Sequence, residues 1–186
     1  MTLVELAVAM TVSMILILMM VGIITADSKA QTFTSNSASA ASNVRLVLLA
    51  LQNDIQAANP IATLSSTSAY QDELQLTVQP TGTVVTWLYS PTTQKLTRQT
   101  GAAGAVTELA NVTNGDPSSG GTPVFSYFDH CSINLGTEAQ ATPAGISSAT
   151  TAVQITLSVA SANAAQYEST TTVNLMNSPP GSSLCG

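Results

Sequence analysis

The run from Leu6 to Ala26 is 21 residues without a charge, rich in Val, Ile, Leu and Met. That is the length a helix needs to cross about 30 Å of hydrocarbon. A cleavable secretory signal opens on a basic region and ends at an A-x-A-like site. Here no Lys or Arg precedes Lys29, and no convincing small-residue site follows the run. The expectation is an uncleaved apolar helix that starts at once, as if something upstream had already been removed. A signal anchor without its basic leader is the plainer alternative. One acid, Glu5, stands inside this apolar segment.

Beyond Ala26 the sequence turns polar, yet a helical period returns. Val44, Leu48, Leu51 and Ile55 recur at spacings of four, three and four, which places them on one helix face. No Pro interrupts residues 1–59, and Asn59-Pro60 is a natural stop, because the residue before Pro is pushed out of the α region. The pattern predicts one helix over 1–58, about 87 Å long at 1.5 Å per residue, with local loosening near Gly22 or in the small-residue stretch 35–43. No small globular domain can bury a helix of that length.

From Leu74 on, the texture is that of strands. Leu74, Leu76 and Val78 alternate with polar residues, and Val153, Ile155, Leu157 and Val159 do so more cleanly. Further strands are expected over 83–90, 94–100, 105–112, 123–128 and 168–176. Between them lie turn-forming clusters such as Pro80-Thr81-Gly82 and Pro143-Ala144-Gly145. The expected fold class is α+β: a long N-terminal helix, apolar then amphipathic, packed against an antiparallel sheet. The divisions are an apolar membrane or filament-core helix at 1–26, an amphipathic continuation at 27–59, and a β-rich head at 60–186.

Composition excludes several functions. Charged residues make up 8% of the chain, against roughly 25% in ordinary soluble domains. The net charge is −6, and the basic residues Lys29, Arg45, Lys95 and Arg98 are scattered, so nucleic-acid binding, which needs clustered cations, is not expected. His130 is the single histidine and has no catalytic motif around it; no enzyme and no cofactor are expected. Cys131 and Cys185 form no CxxC, and a zinc site needs about four ligands at recognisable spacings, so no metal is expected. In a chain that leaves the cytoplasm the pair reads as a disulfide, with two separate thiols as the alternative. The bridge would close a loop of about 55 residues, worth roughly 4 kcal/mol by chain entropy. Asp72-Glu73 and Gly115-Asp116 are isolated acidic spots, short of the six to eight oxygens calcium takes. Asn111-Val112-Thr113 fits the N-glycosylation pattern. Phe125, Tyr127 and Phe128 read as sheet core, and Asp54 and Arg45 as a solvated helix face.

Glu5 is the residue that asks for a partner. A carboxylate at the centre of a membrane helix costs roughly 2.5–3.5 kcal/mol on insertion scales, and less near the interface. Two readings are open: an acid that snorkels to the headgroups, or one that meets an α-amino group, largely cationic at neutral pH. In a bundle of staggered helices a missing partner is penalised by desolvation, so such a pair sets register more than it adds net stability.

Met1-Thr2-Leu3-Val4-Glu5-Leu6, followed by the unbroken apolar run, resembles the start of a processed type IV pilin or pseudopilin. The family usually carries Phe where this chain has Met1. Weaker likenesses to larger minor pilins and J-type pseudopilins lie in Leu51–Ala58, in Val124–Asp129 and in Ser169–Asn177, with Met176 where Arg is common. The resemblance implies that a prepilin peptidase cuts a leader before Met1, whose amine is then methylated, and that Glu5 pairs with the N-terminal amine of an adjacent subunit. Leu3, Leu6, Val12, Leu16 and Gly22 would lie on the filament-core helix. The implied partners are further copies in a helical filament and the inner-membrane assembly machinery. The implied location is the cytoplasmic membrane as a single-pass protein, then an extracellular pilus on a prokaryotic cell. The same fold would serve a minor pseudopilin of a type II secretion system. From other classes, a membrane-anchored extracellular binding or adhesion domain and, more distantly, a membrane-bound hydrolase remain as alternatives.

Overall fold

A computed structural model of the chain describes residues 2–61, 73–78, 80–116, 119–128, 134–136, 150–161 and 166–175. The first element, α1 (Leu3–Ala57), is an unbroken α-helix of 55 residues, about 80 Å long. Neither Gly22 nor the small-residue stretch at 35–43 interrupts it. Thr2 enters in an extended conformation, and Ala58 leaves extended while its N–H closes on the Ile55 carbonyl. The expected face of Val44, Leu48, Leu51 and Ile55 is buried, joined by Val47. Residues 2–35 are all exposed, so the 27–35 part of the expected amphipathic stretch buries no face against the head.

Among the described residues nine strands follow: β1 (Ala58–Ile61), β2 (Glu73–Val78), β3 (Thr83–Ser90), β4 (Lys95–Thr100), β5 (Val106–Ala110), β6 (Phe125–Phe128), β7 (Asn134–Gly136), β8 (Ala152–Ala160) and β9 (Gln166–Asn174). They form two antiparallel sheets rather than the single one expected, in the orders β1-β2-β3-β4-β5 and β7-β6-β8-β9. β1 contains Pro60, a residue confined to sheet edges because it cannot donate to a ladder, and it lies at an edge. Gly82, with φ +66, makes the tight turn between β2 and β3 and donates its N–H to the Val78 carbonyl at 2.9 Å.

The segment after β5 welds the sheets together. Val112 donates its N–H to the Gln94 carbonyl at 3.0 Å and pairs with Val159 of β8, and Thr113 N–H donates to the Ser158 carbonyl at 2.7 Å. The buried Asn114 side chain donates to the carbonyls of Thr156 (2.7 Å) and Thr122 (3.2 Å) and accepts from Ser158 N–H at 2.8 Å. A buried amide fully paired in this way contributes specificity as well as stability.

One hydrophobic core spans both sheets and the helix stripe. Leu74, Leu76, Trp87, Tyr89, Leu96, Phe125, Tyr127, Ile155 and Leu157 pack with Leu51 and Ile55. α1 lies against β9, β2, β8 and β5. Phe125 and Tyr127 are core, as expected, while Phe128 is half-buried. The Tyr127 hydroxyl crosses between sheets to donate to the Glu73 carbonyl at 2.6 Å.

Candidate functional site

The surface that asks for a function is the first half of α1. Leu3 is 86% exposed, and Leu6, Val12 and Leu16 are all more than half exposed. A window of 18 residues in this helix has a mean hydropathy of 2.6 with none of it buried, so the helix is long and apolar enough to cross a membrane. Burying one large aliphatic side chain is worth about 1.5–3 kcal/mol. Summed over Leu3 to Ile24, the surface left in water represents tens of kcal/mol, and a patch this large marks contact with lipid or protein.

The polar groups of the segment are arranged for such a setting. The Thr11 hydroxyl donates to the Val8 carbonyl at 2.9 Å, and that of Thr25 donates to the carbonyls of Val21 and Gly22 at 3.0 and 2.9 Å. These hydroxyls are satisfied inside the helix, as hydrocarbon surroundings demand. Gly22 has open space around it: a Cβ built there meets nothing within 4 Å.

Glu5 has a local partner that the sequence reading overlooked. Its Oε2 accepts the Thr2 N–H at 2.8 Å, and Leu6 N–H donates to the Thr2 carbonyl at 3.3 Å. The signal was present as Thr2-x-x-Glu5, the pattern in which an acid at the third helical position reaches back to the N-cap N–H. An acid in the first turn also faces the positive end of the helix dipole. A carboxylate offers about four acceptor sites, so this bond leaves capacity for a cation as well. Met1 lies outside the described residues, as do Cys131, Cys185, His130 and Asp72. Among the described residues, no three His, Cys, Asp or Glu side chains gather into a group able to hold a metal ion.

At its other end, α1 is pinned to the head by a residue expected in solvent. Asp54 Oδ2 accepts from Trp87 Nε1 at 2.8 Å and from Arg98 Nε at 2.8 Å, and Oδ1 accepts from Arg98 Nη2 at 3.0 Å. Trp87 and Arg98 are cross-strand partners on β3 and β4, and the guanidinium carbon lies 5.8 Å from the centre of the Trp87 ring. Asp54 is 13% exposed, so it belongs to the helix–sheet seam, not to a solvated face. The bond to Asp54 pushes the Arg98 guanidinium pKa up, which keeps the clamp charged. Arg45, by contrast, is exposed, as expected. Burial pushes the Glu73 carboxyl up from its ordinary value.

The arrangement is thus an exposed apolar helix with an acid in its first turn, clamped at its C-terminal end to a two-sheet head. Comparison with known families found no family model matching this chain, and comparison with curated proteins found no match.

Proposed function

We propose that the chain is a structural subunit of an extracellular, type IV pilus-like filament, held in the cytoplasmic membrane by the same helix before assembly. One observation carries the reading: the apolar half of α1 is wholly exposed on a helix whose other end is locked into the head. Such a rod has two ways to cover its surface, lipid and the rods of further copies. Head-to-tail contacts that do not close on themselves generate a helical filament.

Glu5 gives the filament its register. In the staggered bundle its carboxylate, already accepting Thr2 N–H, takes the processed amine of a neighbour's Met1 as a second partner. A subunit seated one step out of register leaves a desolvated charge, and this selects the correct stagger. The chain has no catalytic role in this reading. Its partners are further copies of itself, the prepilin peptidase and the assembly machinery of the membrane.

A second reading draws on the stretch 27–35, which is exposed on every side. That exposed spacer of about two and a half turns also suits a head held off a membrane as an anchored binding domain. A minor pseudopilin of a type II secretion system would share the filament geometry and differ in abundance.

Electron microscopy of fibres sheared from the native cells, with mass spectrometry of their N-terminus, tests the proposal. The expected result is fibres composed mainly of this chain, beginning at a methylated Met1. Protein recovered solely as membrane-anchored monomer would overturn it.

A further inference from the structure

Asn111-Val112-Thr113 is the only Asn-x-Ser/Thr pattern in the sequence. The fold puts it where a modifying enzyme needs it. Asn111 is exposed, at the end of β5, and turns the chain in the left-handed region with φ 59. Its own carbonyl accepts from Ala160 N–H at 3.0 Å, so the backbone is anchored while the side chain is presented. Two residues on, the Thr113 hydroxyl oxygen accepts from Gln166 Nε2 at 3.0 Å and keeps its own proton for donation.

Asn111 also lines a groove of about 290 Å³ between α1, β5 and the end of β8, near the lower end of the roughly 300–1,000 Å³ of ligand pockets. Asn36, Ser39 and Asn43 from the helix and Ser161 after β8 give its walls amides and hydroxyls, alongside the acid Glu108 and the apolar Leu109 and Val159. Ser161 is 8% exposed, and its side-chain oxygen has no hydrogen-bond partner. A buried hydroxyl left unpaired costs free energy, and a groove of amides, hydroxyls and one acid beside an acceptor Asn suits a ligand rich in hydroxyl groups.

We propose that Asn111 is a glycan acceptor and that the groove beside it seats the first sugar. In the transfer, Asn111 Nδ2 bonds to the anomeric carbon of a prenyl-diphosphate-linked sugar. The bond from that carbon to the diphosphate oxygen breaks, the prenyl diphosphate leaves, and the Nδ2 proton passes to a base of the transferring enzyme. Once attached, the sugar donates to and accepts from Asn36, Asn43 and the waiting Ser161 hydroxyl. The proposal shares with the filament reading only an exported head, and does not depend on polymerisation.

The test is mass spectrometry of the protein from its native cells, cleaved after Glu108 and Glu138 to release the peptide carrying Asn111. The expected result is a sugar mass located on Asn111 by fragmentation, lost in Thr113→Ala and retained in Thr113→Ser. Nuclear Overhauser contacts from the sugar to Ser161 and Ala40 are expected in the same protein. An unmodified Asn111, or sugar on hydroxyl side chains only, overturns the assignment, and in assembled fibres it would do so while leaving the filament reading intact. A sugar on Asn111 without those contacts overturns the seating.

Discussion

Asp54→Ala removes the acceptor for both Trp87 Nε1 and the Arg98 fork in one step. A hydrogen bond to a charged group is worth about 1.5–3 kcal/mol, and truncating one side of a fully buried ion pair costs roughly 3–5 kcal/mol. An exposed pair is worth about 0–1 kcal/mol. Asp54 at 13% and Arg98 at 31% exposure lie between those limits, nearer the buried one. The expected destabilisation is about 2–3 kcal/mol, on the order of 10 °C in Tm for a domain of this size. The assay is urea unfolding of the whole chain in detergent micelles, followed by the fluorescence of Trp87, the single tryptophan. The emission should also shift in the folded state, because the indole loses its carboxylate partner. Arg98→Lys should recover little, since an ammonium cannot reproduce the two-pronged bond. In a double-mutant cycle with Arg98→Ala, the coupling should reach about 1–3 kcal/mol. A loss below about 0.5 kcal/mol with unchanged emission would mean that Asp54 sits on a solvated face after all.

Other outcomes follow from single positions. A Cβ at Gly121 would stand 2.6 Å from the Gly115 carbonyl carbon and 2.7 Å from Asp116 N, so Gly121→Ala should cost about 1–3 kcal/mol in the same unfolding assay. Because burial raises the Glu73 carboxyl, the folded state keeps that proton where the unfolded chain has released it. Its contribution is therefore present below the ordinary carboxylate pKa and lost as pH rises through the raised value, and Glu73→Gln should flatten that fall in urea midpoints as pH rises above the ordinary carboxylate range. Gly22→Leu, which meets open space in the isolated chain, should leave head unfolding unchanged while reducing fibre yield.

Much of the architecture was legible because it rests on period. The alternation around Leu74–Val78 and Val153–Val159 became β2 and β8, and the helix stripe at Val44, Leu48, Leu51 and Ile55 is the buried face. Pairing was not legible. A period of two fixes which side chains share a face but not which strands are neighbours, and so one expected sheet became two. β1 was missed because Asn59-Pro60 reads as a stop, and Pro at a sheet edge leaves no sign in a four-residue strand. Asp54 was misplaced because its partners lie 33 and 44 residues away, a distance that no local pattern reports. The Thr2–Glu5 cap was visible all along.

That double role of Glu5 supplies the sharpest test of assembly. Glu5→Gln keeps a side-chain oxygen able to accept Thr2 N–H, since Gln serves at this helix position as Glu does, but it removes the charge that a neighbour's amine requires. Glu5→Ala removes both. Fibre yield from native cells expressing each variant, with membrane insertion measured alongside, separates the two functions. If the charge sets the register, both variants reach the membrane and neither forms normal fibres. Normal fibres from Glu5→Gln would mean that Glu5 only caps its own helix, and would contradict the inter-subunit pairing.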